Sequence, residues 1–343
     1  MGGRSVLVVG GSGFLGRRIT EAFVQDGCQV AVLSRGQRAV GGLAESVEHV
    51  CADRHDRAAL QTALGSRSFD VVVDNVAFEA DDVASLLAAL GGRIGHYLLT
   101  SSTAVYANRF TRRPIREPDA DLAVRAAVDG PNPFHPRLGH AYANGKRAAE
   151  QVVRESSVAW TILRPPVIVG ADDRTHRVWW FVQRLLDGGQ IVIPDWGPGR
   201  IFQVAWADDV ARAFVSAARE PVSAVGGRTY NVAQAEIYTA ETWISACAAS
   251  LGVEPRYTHV PEASLPACGL DGYTLPIAGR PFGHMLLDLG AIRCEPNFEP
   301  SPESVWLAAT MHGCAASPPS AASAGYDRRA AEIDVAAAGR ASR

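Results

Sequence analysis

A strand, a glycine-rich turn and a helix open the sequence, and this feature constrains the fold most. Residues 5–10 read SVLVVG, and residues 14–27 read FLGRRITEAFVQDG, with helical spacing and a terminal glycine. Glycines here let the backbone approach a pyrophosphate, and the helix N-terminus offers it unpaired N–H groups. The sequence therefore predicts a dinucleotide-binding turn; the alternative is that the glycines serve only a tight turn. The predicted contacts are at Gly10, Gly13, Phe14, Leu15 and Gly16.

Short apolar runs alternate with helical patterns through the first half of the chain. Strands are predicted at 5–10, 29–34, 47–53, 70–77, 96–102 and 159–165, and further helices around 56–65, 80–91 and 140–156. Most of these runs have an apolar centre without polar alternation, which is typical of strands covered on both faces. Strand–helix alternation of this kind predicts an α/β fold with a doubly wound parallel sheet of the Rossmann type.

The pattern changes after Pro165, which divides the chain into two predicted parts. We expect a dinucleotide-binding domain from 1–165 and 201–233, and a smaller C-terminal substrate lobe from 166–200 and 234–312. Residues 313–343 are rich in Ala, Ser, Pro and Gly and lack a large apolar face. We therefore expect them to form a disordered, low-complexity tail.

Composition argues against several classes of function. The formal net charge is −3 without a long basic block, so a nucleic-acid partner is not expected. There is no run of 18 apolar residues and no signal-peptide pattern at the N-terminus. The six cysteines form no Cys-x-x-Cys pair, and no cluster has metal-ligand spacing. We expect a cytoplasmic protein with reduced thiols, no metal and no membrane partner, acting on a small molecule, with a second copy of the chain as a candidate partner.

The end of the second predicted strand bears on the choice of cofactor. NAD-specific sites usually place a carboxylate there for the ribose 2′-hydroxyl, whereas this chain has Ser34 and then Arg35. A guanidinium suits a 2′-phosphate, so NADP(H) is favoured over NAD(H); the alternative is a solvated arginine. Asp53 is expected either to accept from the adenine amino group or to cap the next helix.

A tyrosine and a lysine share one face of the helix predicted around 140–156. The segment reads HAYANGKRAAEQ, with Tyr142 and Lys146 four residues apart. A free tyrosine has a pKa of about 10, and an ammonium one turn away favours the phenolate and lowers that pKa. Such a pair also occurs by chance on surface helices, so the spacing alone leaves both interpretations open.

Five segments in order resemble the extended short-chain dehydrogenase/reductases. The glycine turn, VVVDNVAF, LLTSSTAVY, YANGK and ILRPPVIVG follow the order of the NAD-dependent epimerase/dehydratase branch over roughly residues 4 to 300. GRIFQVAWADDVARAF and GRTYNVA look most like the atypical group that includes chloroplast stem-loop-binding proteins.

The resemblance implies a catalytic triad of Ser102, Tyr142 and Lys146. Tyr142 would exchange a proton with the substrate, Ser102 would hold the substrate oxygen, and Lys146 would also hold the nicotinamide ribose. Further cofactor contacts are implied at Val76, Ala77 and Pro165.

Departures from the family pattern bear on the reaction. Thr103, Ala104 and Val105 follow Ser102 where dehydratases carry an Asp-Glu pair, so dehydration is disfavoured. The acidic segment EADDVASLLAAL weakens the case for an anionic sugar nucleotide, because its carboxylates were expected to face the ligand.

Other residues are candidates for substrate contact. Arg200 falls where sugar-nucleotide enzymes hold a diphosphate, although it is equally placed to pair with Asp208 or Asp209. Thr103 and His135 are expected near the substrate, and His140 is a second candidate in the same rim segment, 131–140; loop packing is the alternative for both histidines.

Three functions remain open at this stage. The first is NAD(P)-dependent reduction of a ketone or oxidation of an alcohol on a small organic substrate. The second is a nucleotide-sugar epimerase that retains its cofactor. The third is a non-catalytic RNA-binding protein that uses the Rossmann fold as a scaffold.

Overall fold

The computed structural model describes residues 3–37, 45–107, 111–124, 140–195, 201–270, 277 and 286–341. Up to residue 164 the elements are β1 Ser5–Val9, α1 Phe14–Gln25, β2 Gln29–Ser34, β3 Val47–Cys51, α2 Arg57–Leu64, β4 Phe69–Asp74, α3 Ala80–Leu90, β5 Ile94–Thr100, α4 His140–Glu155 and β6 Trp160–Arg164. They continue with β7 Val167–Val169, α5 Arg177–Leu186, β8 Ile191–Pro194, β9 Val204–Trp206, α6 Ala207–Arg219, α7 Val222–Val225, β10 Arg228–Asn231, α8 Ala240–Leu251, β11 Tyr257–Val260, α9 Gly290–Cys294, α10 Glu303–Ala316 and α11 Arg329–Ala341.

Seven of the described strands form one parallel sheet in the order β10-β6-β5-β4-β1-β2-β3. The predicted Rossmann-type α/β fold is confirmed. The strands are buried on both faces: Val71, Val72 and Val73 of β4 are each at most 3% exposed. The strand order reverses between β1 and β4, and in such sheets the crevice at this point is where ligands bind.

Helices cover both faces of this sheet. One apolar layer joins the sheet to α1 and α6, and the other joins it to α2, α3 and α4. α1 and α6 also pack against each other. Residues 201–233 therefore contribute one covering helix and, through β10, the edge strand next to β6.

The rest of the second half forms a separate apolar cluster. β8 pairs with β11, β7 pairs with β9, and both pairs are parallel. The rings of Trp180, Phe181, Trp243 and Trp306 are buried at the centre of this cluster. It overlaps the predicted smaller lobe but also includes Phe202, Val204 and Ala336, and the domain division remains a prediction.

The segment expected to be a disordered tail folds onto the smaller lobe instead. α10 runs on to Ala316, and α11 packs against β8, β11 and the short 3₁₀ helix Glu262–Cys268. Glu332 of α11 and Arg184 of α5 form an ion pair (2.9 Å) in which both side chains are fully buried. The prediction of disorder for 313–341 was wrong because it considered only the segment's own apolar content. Small alanines such as Ala336 pack closely, and the lobe supplies the partner charge.

None of the helices described in this structure combines the length and the apolar character that crossing a membrane needs.

Candidate active site

The turn between β1 and α1 has a shape that suits a pyrophosphate. Gly10 has φ +79°, a left-handed conformation that favours glycine. A Cβ on Gly16 would lie 2.1 Å from the carbonyl oxygen of Gly10, so only glycine lets α1 begin this close to the turn. α1 starts after Gly13, and no described side chain caps its first turn. The N–H groups at Phe14 and Leu15 are therefore placed to bind phosphate, and the turn fits a dinucleotide.

A cavity of about 370 Å³ extends from this turn across the carboxyl ends of β1, β2 and β3. It lies where the strand order reverses, as expected for a cofactor site in an open α/β sheet. Its described lining includes these predicted cofactor residues: Gly10, Gly13, Ser34, Arg35, Asp53 and Val76.

The far end of this cavity carries the residues that bear on cofactor choice. Arg35 is exposed at the rim, directly after Ser34, whose hydroxyl accepts from the N–H of Gly36 (3.3 Å). One alternative for Asp53 is removed, because Asp56 caps α2 by accepting from Ala59 N (3.0 Å). Asp53 instead accepts from the N–H of His55 (3.0 Å) and faces the cavity.

Arg54 forms part of the cavity wall, and the sequence prediction missed it. Its guanidinium binds both carboxylate oxygens of Asp74 at the end of β4 (2.8 and 2.9 Å), and Tyr97 donates to the same carboxylate (2.7 Å). Burial raises the pKa of Asp74, but the Arg54 pairing outweighs it and leaves that pKa below its usual value. The sequence shows Asp74 at the end of the VVV run and Arg54 shortly after β3, but only the order of the strands in the sheet brings these two residues together.

The structure brings the three residues of the predicted triad together. Ser102 follows β5, and Tyr142 and Lys146 lie one turn apart on α4. The Ser102 hydroxyl and the Tyr142 side chain are hydrogen-bonded. The Lys146 ammonium is buried and donates to the carbonyl oxygens of Ala77 (2.7 Å) and Thr100 (2.8 Å). The catalytic roles themselves remain predictions.

A glycine in the YANGK segment allows this approach. A Cβ on Gly145 would lie 2.2 Å from the carbonyl oxygen of Phe78, so α4 can contact the loop after β4 only with glycine there. The contact places Lys146 Nζ 5.0 Å from the centre of the Phe78 ring and 5.8 Å from that of Tyr142. Pro165 lies at the same edge, where its carbonyl accepts from Thr103 N (3.0 Å).

Burial is the main cause of the pKa shifts of Tyr142 and Lys146. It raises the pKa of Tyr142 above its ordinary value, contrary to the lowering expected from Lys146, although the Ser102 hydrogen bond and the charge of Arg177 oppose the shift. It lowers the pKa of Lys146 to about 8, because the ammonium is removed from water. At neutral pH the tyrosine is therefore a neutral acid that holds its proton.

Lys146 is the only lysine in the chain, so its titration can be followed directly. We expect the single ¹³Cε signal of lysine-labelled protein to titrate with a pKa of about 8, rather than the ordinary value of 10.5. A Lys146→Arg variant assigns the signal, because it removes it. A measured pKa of 10 or more would contradict the burial of the ammonium.

The same shift makes stability depend on pH. The native pKa lies below the unfolded value, so between about pH 8 and 10.5 the unfolded chain binds more protons than the native protein. The free energy of unfolding should therefore rise with pH, by about 2 kcal/mol between roughly pH 7 and 9.5 from this group. Urea unfolding at both pH values should show this rise in the wild type relative to Lys146→Met.

A smaller cavity of about 90 Å³ adjoins the triad and is the candidate substrate site. Its described lining includes Ser102, Thr103, Tyr142, Phe202 and Arg177. Thr103 was expected near the substrate, whereas Arg177 was not singled out from the sequence. The signal for Arg177 is weak, because it lies in a run of charged and aromatic residues that resembles any amphipathic helix start.

Two of the predicted substrate residues, His135 and Arg200, lie outside the described residues. His140 begins α4. The suggested partners of Arg200 are engaged elsewhere, since Asp208 pairs with Arg18 (2.9 Å) and Asp209 with Arg212 (3.0 Å).

The carboxylates of α3 do not face a ligand, contrary to the expectation from sequence. Asp82 accepts from the N–H groups of Phe78 (2.7 Å) and Glu79 (3.1 Å), and Asp81 pairs with Arg57 at the surface. The argument these acids gave against an anionic substrate therefore falls away. Over the described ranges, no group of three His, Cys, Asp or Glu side chains could hold a metal.

Comparison with known proteins places the chain among relatives of this architecture. The chain is 26% identical over 270 residues to the chloroplast stem-loop binding protein of 41 kDa b of Arabidopsis thaliana, covering 75% of this chain and 66% of that protein. It is 29% identical over 160 residues to a (4-alkanoyl-5-oxo-2,5-dihydrofuran-3-yl)methyl phosphate reductase of Streptomyces griseus, covering 47% of this chain and 46% of that protein. The chain thus spans less than two thirds of these relatives.

Solved structures share the fold at low identity. UDP-glucose 4-epimerase of Thermotoga maritima, solved with UDP-glucose, superimposes with a TM-score of 0.68 at 18% identity, over 91% of this chain and 99% of that one. dTDP-glucose 4,6-dehydratase of Bacillus anthracis, solved with NAD, gives 0.68 at 14% identity, over 91% and 97%. The sequence profile of the NAD dependent epimerase/dehydratase family matches residues 6–233, from within β1 to just after β10. With the turn, the sheet and the Ser-Tyr-Lys arrangement in the expected order, the chain belongs to the NAD dependent epimerase/dehydratase family.

Proposed function

We propose that the protein is an NADP(H)-dependent oxidoreductase that reduces a carbonyl group on a small organic substrate, with Tyr142 as the proton donor. The observation that carries the proposal is Lys146. Of the 33 Lys and Arg side chains in the sequence, 32 are arginines and one is this lysine. A chain that uses arginine everywhere else keeps its single lysine buried beside Tyr142 and the cofactor cavity. A guanidinium would keep its proton there, whereas an ammonium can be tuned by burial.

The residues divide the reduction between them. The cofactor supplies a hydride to the carbonyl carbon when it is bound. Ser102 hydrogen-bonds the substrate oxygen, and Tyr142 donates its proton to that oxygen as the carbon–hydrogen bond forms. The raised pKa of Tyr142 supports the acid role at neutral pH. Lys146 holds its charge below pH 8, and the Ser102 hydrogen bond and the charge of Arg177 limit the cost of the phenolate that is left.

Reduction rather than dehydration is supported by the residues after Ser102. Thr103 and Ala104 occupy the positions where a dehydratase would need acid and base carboxylates, and both are buried in the short 3₁₀ helix Thr103–Tyr106. The relative from Streptomyces griseus is named as a reductase, which agrees with this proposal. Assays with NADPH and a panel of ketones should show NADPH consumed in step with product.

The second candidate, a nucleotide-sugar epimerase, is favoured by solved structures of the same fold that contain such substrates. It predicts interconversion of two sugar nucleotides without net consumption of cofactor, which the same assay detects.

The name of the stem-loop-binding relative suggests RNA binding, but the net charge of −3 argues against it. Salt-sensitive RNA retention would support that candidate. A cytoplasmic location and a homodimer remain predictions.

The proposed preference for NADPH depends on Arg35. We expect the wild type to bind NADPH more tightly than NADH, and Arg35→Ala to lose most of that difference, about ten- to hundredfold for a charge-assisted contact to the 2′-phosphate. Affinities measured by fluorescence titration with both cofactors test this. Arg57→Ala is the matched control, because Arg57 is also exposed but pairs with Asp81 away from the cavity. Equal affinities of the wild type for the two cofactors would refute the preference.

A further inference from the structure

Arg177 is the first residue of α5 and projects into the small cavity that also contains Tyr142 and Ser102. Its side chain is held in place from two sides. Its Nε donates to Asp173 (2.7 Å), and its Nη2 donates to the carbonyl oxygen of Ile168 (2.9 Å). The Nη1 group makes no hydrogen bond to any described residue. The guanidinium is therefore oriented, with donor capacity left over.

Arg177 is also the single charged side chain in the described lining of this cavity. The other described members are Ser, Thr, Ala, Tyr, Pro, Val, Phe, Gln and Ile side chains. Gln203, the polar neighbour opposite, is already engaged: it donates to Gln234 O (3.0 Å) and accepts from Leu287 N (2.7 Å). Arg177 is therefore the charged donor in the described lining, beside Ser102, Thr103 and Tyr142.

The carboxylate that pairs with Arg177 holds the guanidinium from behind. Asp173 is buried and is not part of the described lining. Its oxygens accept from Thr175 N (3.0 Å), Thr175 Oγ1 (2.7 and 2.8 Å) and Arg177 Nε, so it acts as a clamp behind the guanidinium. The cavity therefore meets the cationic side of the pair, next to the proposed proton donor.

We propose that Arg177 makes the site specific for carbonyl substrates that carry an oxyanion, a carboxylate or a phosphate monoester, close to the reacting carbonyl. The proposal rests on the proposed function, because it assigns the substrate class of the same site. A planar guanidinium with a free Nη group binds one oxygen of such an anion and orients the neighbouring carbonyl toward Ser102 and Tyr142. An uncharged substrate gains no such contact, so the preference should appear mainly in KM.

The test uses pairs of related substrates in which one member carries the anionic group and the other does not. We would measure kcat and KM with NADPH for α-keto acids against their methyl esters, and for dihydroxyacetone phosphate against dihydroxyacetone. We expect the wild type to favour the charged member of at least one pair by tenfold or more in kcat/KM, mainly through KM. The pair that shows the preference distinguishes carboxylate from phosphate. In Arg177→Gln the ratio should fall at least tenfold, and Arg177→Lys should restore part of it.

Asp173→Asn is the matched control for a purely structural role. It weakens the same clamp and removes the counter-charge but keeps the cation, so the charged-to-neutral ratio should be at least as high as that of the wild type. A wild type without the preference, or an Arg177→Gln variant that retains it, would overturn the proposal.

A binding measurement separates failure of this proposal from failure of the proposed function. With NADPH bound, the 2′-phosphate site is filled, so inorganic phosphate should raise the melting temperature of wild type but not of Arg177→Gln. Phosphate stabilisation without turnover of any carbonyl would leave Arg177 as an anion site and reject the reductase. Turnover without charge preference or phosphate stabilisation would reject the anion site at Arg177 and leave the reductase proposal in place.

Discussion

Replacing Tyr142 with phenylalanine should lower kcat for carbonyl reduction by about 10²–10⁴ while leaving NADPH affinity nearly unchanged. The substitution removes one hydroxyl and keeps the ring, which packs 6.2 Å from the Phe78 ring. The lost hydrogen bond to Ser102 should cost only about 1 kcal/mol of folding stability. Steady-state kinetics with NADPH, together with urea unfolding of the same preparation, separates the catalytic effect from the structural one.

Variants of other residues in and near the site should behave differently from Tyr142→Phe. Lys146→Ala should reduce both kcat and cofactor affinity, because Lys146 is proposed to hold the nicotinamide ribose as well as to act beside Tyr142. Ser102→Ala should act as a weaker form of Tyr142→Phe. His135→Ala and His140→Ala test the rival source of the proton, since histidine also titrates near neutrality. If Tyr142→Phe stays within threefold of wild type while a histidine variant is inactive, Tyr142 is a packing residue.

Much of the sheet could be predicted because its strands are buried on both faces. Such a strand needs an unbroken apolar run. The runs VLVV in β1 and VVV in β4 meet this requirement, so both segments could be predicted as central strands. The pairing of β7 with β9 could not be predicted in this way, since each strand has three residues and their partners are fixed only by the fold.

The triad could be inferred because a helix and a strand end carry it in a local pattern. Tyr142 and Lys146 are four residues apart, and Gly145 between them already permits the close approach to Phe78. Arg177 gives no such pattern, because its position beside Tyr142 depends on β7, Asp173 and the start of α5. Side chains brought together from distant segments need the three-dimensional structure to be recognised as one site.

Deleting residues 318–343 should destabilise the protein by about 3–5 kcal/mol, contrary to what the composition of this segment suggests. The deletion removes Glu332 and leaves the fully buried Arg184 without its carboxylate. It also removes Ser323, which accepts from Arg184 Nη1 (2.7 Å). The guanidinium then keeps Trp180 O (3.4 Å) as its described hydrogen-bond partner, and the apolar surface under α11 is exposed, so the smaller lobe should open at lower urea concentration.

The cause can be isolated within the truncated chain itself. Arg184→Met removes the buried charge and keeps an apolar side chain over Trp180, on whose ring the guanidinium now stacks at 3.8 Å. If the unpaired charge is the main penalty, the truncated Arg184→Met protein should be more stable than the truncated wild type. In the full-length chain the same substitution should be destabilising, because it removes one of the two guanidinium partners of the buried Glu332, which then pairs with Arg329 alone (2.8 Å) among the described residues. If the truncated protein has the urea midpoint of the full-length chain, α11 contributes nothing to the stability of the fold. If Arg184→Met lowers the stability of the truncated protein further, the cost of the deletion comes from lost packing of the helix rather than from the unpaired charge.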